Sequence, residues 1–245
     1  MNNIFSFERF VKVLKYDLKM RVPAIATTFL VFLLLPHILH LIMNFGSGFR
    51  EALRMELIGT MLFCISFFAP FSIYAAFREK QGIGSYLMIP SSGFEKFASM
   101  FTVCCVILPV AFFACSLVVD SLFTLVLKDI YGGFISLQQF EAEFDLGNAI
   151  ITMFSVVGAA LLGNVLFKKR ASAKTILCLL ALALLWGSVI TEILFSEIFS
   201  FRDLDPTVLQ AKTDRVAVIT EFVLVGVSVL LYCLAYWRLK KIQIS

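Results

Sequence analysis

Six stretches of roughly twenty predominantly apolar residues recur along the chain. They leave little choice of fold, because about twenty such residues cross the hydrocarbon core of a bilayer as a helix, where every backbone N–H and C=O must find its partner inside the segment. They run from Val22 to Met43, Leu57 to Ala76, Phe101 to Val126, Ala149 to Phe167, Thr175 to Leu194 and Val216 to Tyr236. Of the 245 residues 60% are hydrophobic and only 16% are charged, more apolar surface than a water-soluble domain hides. The expected fold is all-α and integral to the membrane. Residues 1–21 form an amphipathic interfacial segment, and residues 22–245 form a single domain of six transmembrane helices. No small-residue cleavage site follows the first span, which argues against a removed signal peptide.

The interfacial segment carries its own pattern. Phe7, Phe10, Val11, Leu14 and Leu18 share one helical face, while Glu8, Arg9, Lys12, Lys15 and Lys19 lie elsewhere. Pro23 is expected to close this stretch before the first span. A helix of this kind lies along a leaflet with its lysines near anionic headgroups. The Lys and Arg residues are also unevenly divided between alternate connections. Fifteen fall on one side: Arg9, Lys12, Lys15, Lys19 and Arg21; Arg78, Lys80 and Lys96; Lys168, Lys169, Arg170 and Lys174; and Arg238, Lys240 and Lys241. The other side has six, Arg50, Arg54, Lys128, Arg202, Lys212 and Arg215, mixed with acids. By the positive-inside rule both termini are cytoplasmic. The same bias accounts for the net charge of +4. No basic patch with interleaved aromatics points to nucleic acid.

One polar connection is built with unusual care. In Tyr86-Leu-Met-Ile-Pro-Ser-Ser-Gly-Phe-Glu-Lys-Phe97, Pro90 favours extended backbone before it, and Ser92 with Glu95 three residues on makes a capping box that starts a helix. Phe94, Phe97, Ala98 and Phe101 then share a face leading into the third span. A plain helix start at a membrane surface explains the pattern as well as a docking surface does.

Chemistry inside the spans has few candidates. His37 and His40 are spaced to put two imidazoles on one face, but no third metal ligand is in view and no metal site is expected. Asp120, Glu192 and Glu221 are intramembrane carboxylates, functional candidates as a class. All three fall toward the outer ends of their spans, where solvation is the plainer expectation and an outer vestibule the functional one. No ionisable residue lies near the midplane, so the relay of a self-powered secondary transporter is missing. The cysteines, Cys64, Cys104, Cys105, Cys115, Cys178 and Cys233, show no C-x-x-C spacing and read as packing residues. Neither H-E-x-x-H nor G-x-S-x-G occurs. Gly158 and Gly163 have the glycine spacing of a phosphate loop without its Lys-Ser/Thr, and small residues here serve close helix packing instead. Pro36, Pro70 and Pro109 interrupt the first three spans and are expected to bend them. The connections from Leu127 to Asn148 and from Phe195 to Arg215 are expected to hold short surface or re-entrant helices.

An amphipathic N-terminal helix, six spans with both ends inside and a structured loop after the second span together resemble the membrane subunit of ABC-2-type ATP-binding-cassette transporters. Tyr86-Leu-Met-Ile-Pro-Ser-Ser with Phe94-Glu-Lys-Phe looks like the YLxLPAS…EKF segment of the Bacteroidetes ABC-2-like permeases, with Ile89 and Ser91 where Leu and Ala are usual. The resemblance implies that Pro90, Ser92, Phe94, Glu95, Lys96 and Phe97 face a separate ATPase subunit. It further implies that the chain pairs with a second permease copy or paralogue, and that it is a non-enzymatic exporter subunit of the inner membrane, in contact with lipid and without a cofactor. The class-distinct alternative is an integral-membrane scaffold or regulatory subunit with no ATPase. A membrane enzyme ranks third, since no acid, base or metal constellation is present.

Overall fold

The apolar runs fold into helices that close their own backbone hydrogen bonds. The computed structural model describes residues 5–43, 51–75, 89–131, 133–135, 146–200 and 206–244, and among these the protein is all-helical, without a strand. α1 (Phe7–Tyr16) passes through a π turn (Asp17–Arg21) and a 3-10 turn (Val22–Ile25) into α2 (Ala26–Met43). α3 (Glu51–Ile73) follows. α4 (Gly93–Phe101) leads through a second π stretch (Thr102–Ile107) into α5 (Leu108–Val126). The single turn α6 (Lys128–Tyr131) precedes α7 (Leu146–Leu166), α8 (Ala171–Ser200) and α9 (Pro206–Ile244).

Among the described residues, five helical stretches are long and apolar enough to cross a membrane: Phe7–Met43, Leu53–Ile73, Gly93–Val126, Gly147–Leu166 and Val218–Lys241. The sixth expected span falls on α8, whose described apolar part, Ala171–Leu185, is shorter, although its helix continues to Ser200. The first and third stretches, with 37 and 34 residues, measure about 50 Å or more at 1.5 Å per residue, against a hydrocarbon core of about 30 Å. Their polar beginnings, α1 and the first turn of α4, therefore lie outside the hydrocarbon.

The prolines modulate helices rather than end them. Pro23 does not close the N-terminal segment; the chain absorbs its missing N–H in the π and 3-10 turns and runs on into α2. Pro36 and Pro70 sit inside α2 and α3, and Pro109 lies in the first turn of α5, just after the second π stretch. The connection read from Phe195 to Arg215 is largely helix, because α8 extends to Ser200 and α9 begins at Pro206. A proline at the first helical position lacks only an N–H that would be unpaired anyway. In the connection after Leu127, α6 is present and residues 136–145 lie outside the described ones, as do Tyr86, Arg78 and Lys80.

α2, α3, α5 and α7 surround one core that includes Ile25, Ile65, Val103, Phe112, Val157 and Leu161. α9 packs along α7 more extensively than any other helix pair. Glycines set that packing, since a Cβ on Gly158 would stand 3.2 Å from the Tyr232 ring of α9 and one on Gly163 would collide with the Thr175 side chain of α8. Thus the two glycines serve two different neighbours. Hydroxyls within the spans fold back on their own helices. Ser66, Ser116, Thr124, Ser155, Thr175 and Ser228 each donate to the carbonyl four residues earlier, which satisfies these donors within their own helices, and Ser155 and Ser228 also meet across α7 and α9.

Candidate functional site

Polar side chains that helices cannot satisfy internally gather at two ends of the bundle. The end holding α1 and α4 is organised by Glu95. The expected capping box is present: Ser92 Oγ accepts the Glu95 N–H at 3.2 Å, and Glu95 Oε2 accepts the Ser92 N–H at 2.8 Å. The other carboxylate oxygen reaches across to α1, where it accepts the N–H of Ser6, the N-cap residue, at 2.7 Å. Arg9 adds a hydrogen bond and an ion pair at 3.1 and 3.0 Å. One carboxylate thus closes the starts of two helices distant in sequence. Burial pulls the Glu95 carboxyl upward, but the N–H groups of Ser92 and Ser6 and the Arg9 cation outweigh it and hold the carboxyl below its ordinary value.

Beneath this junction the π turn aims Asp17 and Arg21 inward together. Asp17 accepts from Ser99 at 2.6 Å and from Tyr74 at 3.3 Å, and pairs with Arg21 at 3.3 Å. The Arg21 guanidinium also lies 5.4 Å from the Tyr74 ring centre, within cation–π range. Asn164 of α7 completes the layer by donating to the carbonyls of Pro70 and Tyr74, acceptors at the C-terminal end of α3. α1, α3, α4 and α7 are thereby tied at one level.

The opposite end holds Arg54, Asp120, His37, His40 and Tyr131, each no more than 1% exposed. Arg54, at the start of α3, pairs with Asp120 of α5 at 3.2 Å and donates to the carbonyls of Tyr131 and Gly133 at 3.0 and 2.7 Å. His37 stacks on Phe123 at 4.8 Å and meets the Tyr131 hydroxyl at 3.4 Å, while His40 stands edge-on to the Tyr131 ring at 4.9 Å. Both imidazoles are engaged in packing around one tyrosine. This network fastens α6 and the chain after it onto the ends of α2, α3 and α5.

Of the residues expected to face an ATPase, Pro90 and Phe94 are exposed, Ser92 is half-buried, and Glu95 and Lys96 are buried. Phe97 turns toward α9, 5.5 Å from the Tyr236 ring. The stretch is therefore not one outward surface: four consecutive helical residues, about 100° apart, point to all sides of the axis. Asp120 is buried and paired rather than solvated. Glu221 is partly exposed on α9, and the Glu192 side chain lies outside the described ones. Sequence reasoning missed Asp17 and Arg54 as buried partners. A carboxylate four residues before Arg21 was the available signal for the first; nothing local marks Arg54.

Two expectations follow. The Glu95 carboxyl is lowered on folding, so its contribution is complete above the ordinary value of 4.5 and is lost as the pH falls through the lower folded value. Glu95→Gln should therefore loosen α1 at neutral pH, with hydrogen exchange of the α1 amides faster by about tenfold or more. Acid should do the same to the wild type and little further to the variant. Unchanged α1 exchange in Glu95→Gln would remove the junction's claimed role.

At the other end, Arg54→Ala leaves Asp120 buried without its cation and should cost about 3–5 kcal/mol. Arg54→Met with Asp120→Leu should regain the ion-pair share of that loss. A double-mutant cycle in mixed micelles should then give a coupling above about 1 kcal/mol, and simple additivity of the two single losses would show the pair to be energetically idle. No family model, curated protein or solved structure matches the chain.

Proposed function

We propose that the protein is the membrane-spanning permease subunit of an ATP-binding-cassette exporter, with six crossings, both termini in the cytoplasm and ATP hydrolysis carried by a separate subunit. The observation that supports this reading is the α1–α4 junction. Glu95 fuses two amphipathic helices into one platform, from whose outside Phe7, Phe5 and Phe94 project with 71, 46 and 44% of their surface exposed. Phe94 lies edge-on to both Phe5 and Tyr236, at 5.8 and 6.1 Å. Its position is thus set by packing while much of its ring stays open, the state of an interface anchor before its partner arrives. α8, at 30 residues, is long enough to supply the sixth crossing at 1.5 Å per residue. With an even number of crossings the lysine-rich ends share a side. A second permease copy or paralogue would complete the translocation path between two such chains. Asp120, locked to Arg54, supports a closed outer end rather than an open vestibule.

Sidedness is checked with single cysteines. An impermeant maleimide should label a Cys at Gly133 from outside intact cells and miss one at Lys169; the reverse pattern would overturn the orientation.

The platform has its own test. Phe94→Ala should weaken ATPase binding by about 2 kcal/mol or more, read as loss of an ATP-binding-cassette ATPase from the complex purified out of native membranes. The permease itself should insert normally. Ser92→Ala should act less, through about 1 kcal/mol of capping. If the wild-type chain brings no ATPase with it, or Phe94→Ala retains it fully, the scaffold reading without an ATPase replaces this one.

A further inference from the structure

Where α4 faces α7 and α9, the helices leave an open groove of about 440 Å³. Phe97, Phe101, Ile151, Phe154, Val229 and Cys233 form its walls. Among the described residues, the hydroxyls in the lining are those of Ser228 and Tyr232, and both are already engaged. Ser228 donates to the Leu224 carbonyl and meets Ser155, and Tyr232 donates to the Phe154 carbonyl at 2.7 Å and lies 3.2 Å from Cys105 Sγ. Nothing in the groove asks for a polar group. Its size falls within the ordinary range for small-molecule sites, and its chemistry is that of hydrocarbon.

A positive charge lies beyond one end of the groove. Val225, Val229, Cys233, Tyr236 and Lys240 follow one another along α9 at spacings of four, four, three and four, which keeps them on one helical face. Lys240 is exposed. At 1.5 Å per residue it lies about 10 Å beyond Cys233 and about 22 Å beyond Val225, while one leaflet contributes about 15 Å of hydrocarbon. The groove therefore occupies the acyl depth of the leaflet whose headgroups lie near Lys240, a residue whose stem reaches toward phosphate while its ammonium stays in water. Apolar walls at chain depth and a cation at headgroup depth match an anionic amphiphile.

We infer that this groove is a binding site for one phospholipid of the Lys240-side leaflet, its acyl chain against Phe101, Phe154 and Val229 and its anionic headgroup at Lys240. The site does not depend on the export reading.

Native mass spectrometry of the full chain, released from nanodiscs containing equal phosphatidylglycerol and phosphatidylcholine, tests it. The expected result is one retained phospholipid with phosphatidylglycerol favoured about fivefold, the preference one lysine near a surface supplies. Val229→Trp should fill the groove and abolish retention, and Lys240→Gln should keep a retained lipid but lose the preference. Leu184→Trp, at an exposed position of α8, should change neither. Retention unchanged in Val229→Trp would overturn the site. So would a wild-type dimer that Val229→Trp turns to monomer with its lipid still retained, because a second copy would then cover the groove. The intrinsic fluorescence of Trp237, exposed on α9 one turn beyond Cys233, with Trp186 replaced by phenylalanine, keeps the test decisive if the tryptophan variant does not fold. Brominated phosphatidylglycerol should quench it saturably at low mole fraction, whereas quenching proportional to the brominated fraction would also overturn the proposal.

Discussion

Hydrocarbon offers a buried polar atom no partner, and the arrangement of this protein follows from that constraint. Hydroxyls within the spans are closed onto their own helices, as Ser66 and Thr124 show. What cannot be closed locally is moved to the bundle ends and paired there. Asp17 with Arg21 and Asn164 forms one layer; Arg54 with Asp120 and Tyr131 forms the other. Between them lies a core of Ile65, Val103, Phe112 and Leu161, whose packing rather than any hydrophobic difference from lipid holds helix to helix. Gly158 and Gly163 let α9 and α8 approach α7 closely enough for that packing to count.

Each polar layer joins segments far apart in sequence, and each thereby does mechanical work that an isolated helix could not. Arg54 spends its guanidinium on a carboxylate and on the carbonyls of Tyr131, the last residue of α6, and of Gly133 just after it, so this turn is held by the bundle rather than by its own residues. Glu95 does the equivalent for α1 and α4. Both Glu95 oxygens are used, one within α4's own capping box and one on the start of α1. The carboxylate is accordingly a structural clasp, and any surface offered to a partner is carried by the aromatic rings around it.

Much of this was legible in the sequence. Apolar run length identified the helices, and the Ser92–Glu95 spacing located the start of α4, because both signals are local and leave the chain few alternatives. The same locality explains what stayed hidden. Lys96 and Phe97 looked like surface residues because they follow a capping box, yet Phe97 packs on Tyr236, more than a hundred positions along the chain. Arg54 read as a loop cation because Asp120, Tyr131 and Gly133 approach it only after folding. Pro23 signalled a helix end, but π and 3-10 turns let the chain continue through it. The helices reaching Ser200 and starting at Pro206 were obscured by the charged residues between them, whose polarity resembles that of a loop.

The platform and the groove meet at shared aromatic residues. Phe94 and Phe97 both contact Tyr236, and Phe97 is also a groove wall beside Phe101, which touches Tyr232 and Phe154. Because α4 continues through its π stretch into α5, it cannot move as a detached loop; a displacement at Phe94 carries Phe97 with it. The recess between α4, α7 and α9 is bounded by that same turn of helix. A partner that seats on Phe94 and shifts α4 must therefore reshape the end of the groove nearest the charged surface. Filling the groove, in turn, braces α4 from the membrane side, so that occupancy of the two surfaces is mechanically linked through less than two turns of helix.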